Sequence, residues 1–266
     1  MITLRERQVR LSDGAQTVVQ QWGDHGPLVV GVHGLGSSRR GWARIGERLR
    51  ERYRVVAYDQ RGHGDHDAKG PMTLARSVAD LADVVASLDE SVHALVGHSW
   101  GGAVVIAGGR QLDVARVVAI DPMLRVHPGV WSTQTLPEYR KQLAPALKER
   151  EASIRRSLGA LPDIEIESKL HATRRLTIEP IEALGEENEI DAGRWDLRDL
   201  IAGYPKPLLL ALADSQRSVV LDSERKEFRA SGGGHVRIEE FPGAGHSLQR
   251  DAFDRVMPVL DAFLAQ

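Results

Sequence analysis

The chain has 266 residues, no cysteine, 42% hydrophobic and 27% charged residues, and a formal net charge of −2. At about 150 residues per domain this is one large domain or one domain with a sizeable insertion, and the missing cysteine excludes disulfide frameworks, cysteine zinc sites, iron–sulfur clusters and thiol nucleophiles. With 35 Lys+Arg against 37 Asp+Glu there is no basic excess to drive phosphate-backbone binding, so nucleic acid is not expected as a partner.

The first residues, Met1-Ile2-Thr3-Leu4-Arg5-Glu6, mix charges at once, with no apolar signal segment behind them. Short runs rich in Val, Ile and Leu then read as strands at Val18 to Gln21, Leu28 to Val32, Val55 to Tyr58, Ala94 to Val96, Val117 to Ile120, Leu208 to Ala213 and Val236 to Phe241. Helical spacing falls between them, at Trp42, Ile45 and Leu49, at Leu74, Val78, Leu81, Val85 and Leu88, and finally at Phe253, Val256, Val259, Leu260 and Phe263. Strands alternating with helices of this length predict an α/β fold with a mostly parallel central sheet and helices on both faces. No apolar run approaches the ~20 residues that span a bilayer, so a cytoplasmic protein without a membrane partner is expected.

One stretch breaks the alternation. From about Met123 to Tyr204 charged residues crowd around helical patterns, and Pro137, Pro145, Pro162 and Pro180 are expected to divide the segment into short helices. It reads as a helical cap inserted at 123–204 into a core formed by residues 1–122 and 205–266.

The sharpest chemical signal is Gly97-His98-Ser99-Trp100-Gly101-Gly102, between a strand and an apolar helix. In that context G-x-S-x-G is a nucleophile elbow, which lifts the Ser99 hydroxyl at the carboxyl end of the sheet. Acyl transfer also needs preformed N–H donors for the oxyanion; Trp100, after the serine, and Leu35, in His33-Gly34-Leu35-Gly36, are the candidates. A dinucleotide-binding turn at Gly34 fails, because its third glycine would fall on Arg39. His246, in Gly243-Ala244-Gly245-His246-Ser247 after the last strand, is the candidate base, and His33 and His98 read as structural. His63, Asp65, His66 and Asp67 lack metal-ligand spacing and read as a solvated loop.

Together, Ser99, His246, the His33-Gly34 turn and Tyr58-Asp59-Gln60-Arg61-Gly62-His63-Gly64 resemble the α/β-hydrolase superfamily over about residues 17–122 and 205–264. The resemblance implies a serine hydrolase that needs no cofactor or metal and cleaves a carboxylic ester or lactone through an acyl-enzyme. Its substrate would be a small molecule with an apolar acyl or alcohol part, lined by His33, Gly34, Trp131 and Trp195. Carbon–carbon bond hydrolases, haloperoxidase-like and aminopeptidase-like members share the constellation. A slow or non-catalytic ligand-binding protein on the same fold is the alternative of another class.

The triad acid departs from the pattern. The family places it in the loop after the strand that follows the cap, where this sequence has Gln216, with Asp214 two residues earlier. Glutamine cannot stabilise an imidazolium. Asp121, directly after Val117 to Ile120, is the other carboxylate in range, and the sequence leaves Asp121, Asp214 and Gln216 open.

Overall fold

A computed structural model describes residues 5–125, 131–189, 196–231 and 234–266. Eight strands form one sheet: β1 (Arg5–Arg10), β2 (Gln16–Trp22), β3 (Leu28–Val32), β4 (Arg54–Tyr58), β5 (Val92–His98), β6 (Val114–Ile120), β7 (Leu208–Ala213) and β8 (Val236–Phe241). Their order is β1-β2-β4-β3-β5-β6-β7-β8. The first two strands pair antiparallel at one edge, and from β4 onward every pairing is parallel.

Parallel strands carry side chains into two cores, which explains why β3, β6 and β7 are near-continuous apolar runs. Val30, Val32, Leu95, Val117, Leu208 and Leu210 point to one face, and Val29, Ala94, Val96, Val118, Leu209 and Ala211 to the other. The second face is covered by α1 (Ala43–Leu49), through Ile45 and Leu49, and by the last helix of the chain. The first is covered by α2 (Leu74–Ala86) and α3 (Trp100–Gln111). The Thr73 hydroxyl caps α2 by accepting the Arg76 N–H at 3.1 Å, satisfying one of the donors a helix start leaves open. In contrast to one-sided α2, α3 is buried from Trp100 through Gly109, because sheet, α2 and helices from the insertion surround it.

Between β6 and β7 lie α4 (Leu136–Leu143), α5 (Leu147–Ser157), α6 (Asp163–Arg175), α7 (Glu179–Glu189) and α8 (Arg198–Ala202). Proline marks the starts of α4 to α7: Pro137 stands in the first turn of α4, Pro145 between α4 and α5, Pro162 at the N-cap of α6 and Pro180 in the first turn of α7. At those points the missing N–H breaks no helical hydrogen bond. After β7 come α9 (Asp222–Ser231), α10 (Leu248–Asp251) and α11 (Phe253–Leu264), whose Val256, Met257, Leu260 and Phe263 close the second core.

The edge strand β1 was not read from the sequence. Its residues Arg-Glu-Arg-Gln-Val-Arg are exposed except Val9, so no apolar alternation marks it. Such a charged strand suits a sheet edge, where it discourages pairing with other chains.

Asp65 ties the insertion to the core. Its carboxylate accepts from Arg39 at 2.8 Å and from Arg175 on α6, while Arg39 also pairs with buried Asp59 and with Glu6. Burial acts to raise the Asp65 pKa, but Arg39 and Arg175 outweigh it and leave the carboxyl at about 2. A group depressed in the folded state stabilises above its unfolded pKa of about 3.9 and loses that contribution as pH falls through the folded value. The stability advantage of wild type over Asp65→Asn is therefore expected to be full at pH 6 and to shrink by about 1–2 kcal/mol between pH 5 and pH 2.5. Paired thermal melts across that range test this, and a gap constant with pH would contradict it.

Candidate active site

The strand β5 ends at His98 and α3 begins at Trp100, so Ser99 makes the whole turn alone. It does so at φ 54°, ψ −117°, in a region a side-chain-bearing residue enters only when its surroundings force it. A methyl group on Gly101 would overlap the Val32 carbonyl, and one on Gly97 would overlap Gly101 itself, which is the steric reason for glycine on both sides. The turn is pinned by the Ser99 N–H, donated to the Ile120 carbonyl at 3.0 Å, and by the Ser99 carbonyl, which accepts the Met123 N–H at 3.0 Å. The Ser99 hydroxyl has no hydrogen-bond partner among the described residues, so the scaffold leaves it uncommitted.

Asp121 follows β6 beside this turn and is fully buried. Its backbone sits at φ 40°, and four donors converge on the carboxylate. Oδ1 accepts the Ala213 N–H at 3.0 Å and the Ser218 hydroxyl at 2.5 Å; Oδ2 accepts the Val219 N–H at 3.2 Å and His246 Nδ1–H at 2.6 Å. Burial works to raise its pKa, but the bonds from His246, Ser218 and Ala213 outweigh that cost and hold it below the ordinary carboxylate value. The structure thus brings Asp121, and not Asp214 or Gln216, to His246. Asp214 is spent on backbone, accepting the Gln216 N–H of its own loop at 3.0 Å and the Gly243 N–H of the neighbouring loop after β8 at 2.7 Å, and Gln216 is exposed.

His246 is held from a second side. The His98 ring lies 4.7 Å from the His246 ring between centroids, and His98 Nε2–H donates to the His246 carbonyl at 3.0 Å. Burial, and then the nearby His246, lower the His98 pKa to about 3, so His98 remains neutral. The sequence offers His98 only a structural place; its bond to the His246 loop makes it a positioning residue. His98→Ala is expected to lower kcat about fivefold to tenfold with little change in KM, and His98→Asn, which keeps a donor, to recover much of the loss. Equal losses in both variants would show that the donated bond is irrelevant.

The loop between β3 and α1 supplies the other wall. Gly34 packs on Ser99: a methyl group there would stand 2.9 Å from the serine Cβ. No described group accepts the Leu35 N–H. Two buried imidazoles brace this loop. His33 donates from Nδ1 to the Gly34 carbonyl at 2.8 Å and accepts the Gln60 N–H on Nε2 at 3.0 Å. His63 accepts the Gly36 N–H on Nε2 at 3.0 Å and donates from Nδ1 to the Arg61 carbonyl at 2.8 Å. Burial lowers both pKa values, and the neutral form is the one that can accept.

Two expected substrate contacts are corrected by this geometry. His33 is 2% exposed with both ring nitrogens bonded to backbone, so it supports the loop. Trp131 is 5% exposed and packs against Gly185 of α7, which makes it part of the insertion's core. Trp195 lies outside the described residues. The predicted loop cluster has structural work: His63 braces Gly36 and Asp65 pairs with Arg39 and Arg175. Among the described residues no group of three or more His, Asp or Glu side chains is placed to hold a metal ion.

A family model described as "Alpha/beta hydrolase family" matches residues 29–259. The chain belongs to the α/β-hydrolase family. Lipase LipV of Mycobacterium tuberculosis is 33% identical over 155 residues, covering 55% of this chain and 56% of that protein, so the chain spans about half the lipase's length. The magnesium-chelatase 30 kDa subunit of Rhodobacter capsulatus is 29% identical over 214 residues, 73% of this chain and 72% of that one. Among solved structures, E-2-(acetamidomethylene)succinate hydrolase superposes with a TM-score of 0.78 at 21% identity, covering 99% of this chain and 100% of that one. An esterase from Exiguobacterium antarcticum gives 0.74 at 18% identity, covering 97% and 99%. These structural likenesses concern the fold. No helix of this chain, among the described residues, is long and apolar enough to cross a membrane.

Proposed function

We propose that the protein is a serine hydrolase that cleaves a small carboxylic ester or lactone through an acyl-enzyme, with Ser99 as nucleophile, His246 as general base and Asp121 as the acid that orients it. The observation that carries this reading is the 2.6 Å bond from His246 Nδ1 to buried Asp121, on a loop whose imidazole lies against the neighbour of Ser99.

With its proton fixed on Nδ1, the ring presents an Nε2 lone pair. That nitrogen takes the Ser99 proton as Oγ attacks the carbonyl carbon, and the imidazolium so formed is stabilised by Asp121. The carbonyl oxygen becomes an oxyanion held by the Leu35 and Trp100 amides, which need no reorganisation when charge develops. His246 then returns the proton to the leaving alcohol. In deacylation it takes a proton from water, the hydroxide adds to the acyl carbon, and Ser99 leaves with the proton restored. A serine–imidazole hydrogen bond is often loose before substrate binds and tightens in the complex, which suits a hydroxyl not yet committed to any partner.

In this reading residues 123–204 are a cap over a core of 1–122 and 205–266. The departure at Gln216, which favoured a non-catalytic binding protein, loses its force once Asp121 serves the imidazole. Carbon–carbon bond hydrolysis, haloperoxidase and aminopeptidase chemistry draw on the same three residues, and a panel of short-chain esters, lactones, aminoacyl arylamides, a β-diketone, and bromide with peroxide separates them. The direct test is covalent labelling by a fluorophosphonate probe, expected on Ser99 by mass spectrometry together with turnover of an activated aryl ester. A wild-type protein that is neither labelled nor active would return the reading to a binding protein.

A further inference from the structure

The turn that carries the Leu35 N–H is held from two sides. Residues 34–37 form a β-turn, in which the Ser37 N–H is donated to the Gly34 carbonyl at 3.2 Å and Gly36 takes the left-handed position at φ 68°. Glycine accepts φ of either sign, so the central peptide, between Leu35 and Gly36, can turn over at little cost unless its two ends are held. His63 holds one end from the core by accepting the Gly36 N–H at 3.0 Å. The other end is held by the inserted helices. The Tyr139 hydroxyl on α4 donates to the Leu35 carbonyl at 3.3 Å, and Lys169 Nζ on α6 donates to the next carbonyl, that of Gly36, at 3.3 Å.

Both groups carry the protons they donate at neutral pH. Burial pushes the Tyr139 hydroxyl up to about 12, and burial, then Arg250, lower the Lys169 ammonium to about 8. The Tyr139 ring is also seated on the turn: a methyl group on Gly36 would stand 3.1 Å from it. The carbonyls of Gly34, Leu35 and Gly36 are thus taken by His33, Tyr139 and Lys169 in order. Of the three N–H groups that follow Gly34, only that of Leu35 has no acceptor among the described residues.

We infer that Tyr139 and Lys169 are positioning residues, through which α4 and α6 fix the oxyanion turn with the Leu35 N–H left free for the reacting carbonyl oxygen. The inference rests on the serine-hydrolase reading, in which that N–H is an oxyanion donor. Such a donor accelerates the reaction only if its direction is set before charge develops. A turn whose central peptide reverses rotates about the bonds of Leu35, and its N–H then points at the oxyanion for only part of the time.

The test uses Tyr139→Phe, which removes one oxygen, and Lys169→Met, which keeps the apolar stem. The substrate is 4-nitrophenyl butyrate, and the inhibitor is 1-butaneboronic acid, whose tetrahedral adduct on serine places a boron-bound oxygen where the oxyanion forms. Each variant is expected to lower kcat about threefold to tenfold with KM unchanged, and to weaken the boronate by the same factor. Hydrogen exchange of residues 33–38 is expected to quicken in both. A loss of packing alone would not tie kcat to boronate affinity while sparing KM. A melt of each variant verifies folding, and Tyr139→Phe carries the test if Lys169→Met does not fold. Wild-type kcat and boronate affinity in a folded variant, or a change in KM alone, overturns the inference and leaves the serine-hydrolase reading intact. If wild type neither cleaves the ester nor takes a label on Ser99, that reading has failed separately, and hydrogen exchange decides the clamp on the turn. Quickened exchange in the variants supports it, and exchange at the wild-type rate overturns it.

Discussion

Ser99→Ala is expected to abolish fluorophosphonate labelling and to lower kcat on an activated aryl ester by about 10⁶-fold, the size of loss seen when a triad nucleophile is removed from a preorganised site. Alanine at 99 retains the turn at φ 54°, the backbone bonds to Ile120 and Met123, and the packing on Gly34, so only Oγ is lost. The Leu35 and Trp100 amides and the His246–Asp121 pair stay in place, and they leave a residual acceleration over water of about 10³–10⁴. A variant with wild-type melting temperature and undiminished turnover would show that Ser99 takes no part in the chemistry.

Asp121→Asn is expected to lower kcat by about 10⁴-fold, and Asp214→Asn by no more than about threefold. The Asp121 carboxylate accepts from His246 on the same oxygen that takes the Val219 N–H, while the other oxygen is occupied by Ala213 and Ser218. An asparagine cannot satisfy both sides. With its carbonyl toward Ala213 and Ser218, its NH₂ faces His246 Nδ1 and favours the tautomer with the proton on Nε2, which can no longer accept from serine. With the amide reversed, two donors meet in the buried pocket. The fold survives the change, since Asn tolerates positive φ as well as Asp does. Asp214 accepts only backbone N–H groups, from Gln216 and from Gly243 after β8, and makes no hydrogen bond to the imidazole, so its amide costs little. Kinetics of both variants on one ester settle the contrast, and equal, small losses would remove Asp121 from the mechanism.

How much of this site is legible in the sequence follows from how local each signal is. Ser99 declares itself because the elbow is a five-residue steric problem with glycine at fixed positions. The oxyanion loop is nearly as local, since His33-Gly34-Leu35-Gly36 directly follows β3. The acid is not local. Counting residues beyond β7 leads to Gln216, while the carboxylate that reaches the imidazole departs from β6, which precedes the inserted helices in sequence and lies between the Ser99 strand β5 and β7 in the sheet. Ser218 and His98 carry no motif for their parts in holding Asp121 and His246.

The sequence by itself determined the alternation of buried strands and helices, the elbow and the place of His246 after the last strand, because periodicity, glycine sterics and chain order are properties of neighbours along the chain. The tertiary structure alone decided which aspartate meets the imidazole and that His33 and His63 brace the loop after β3. Those outcomes depend on distances between residues that the sheet order and the packing of the inserted helices bring together.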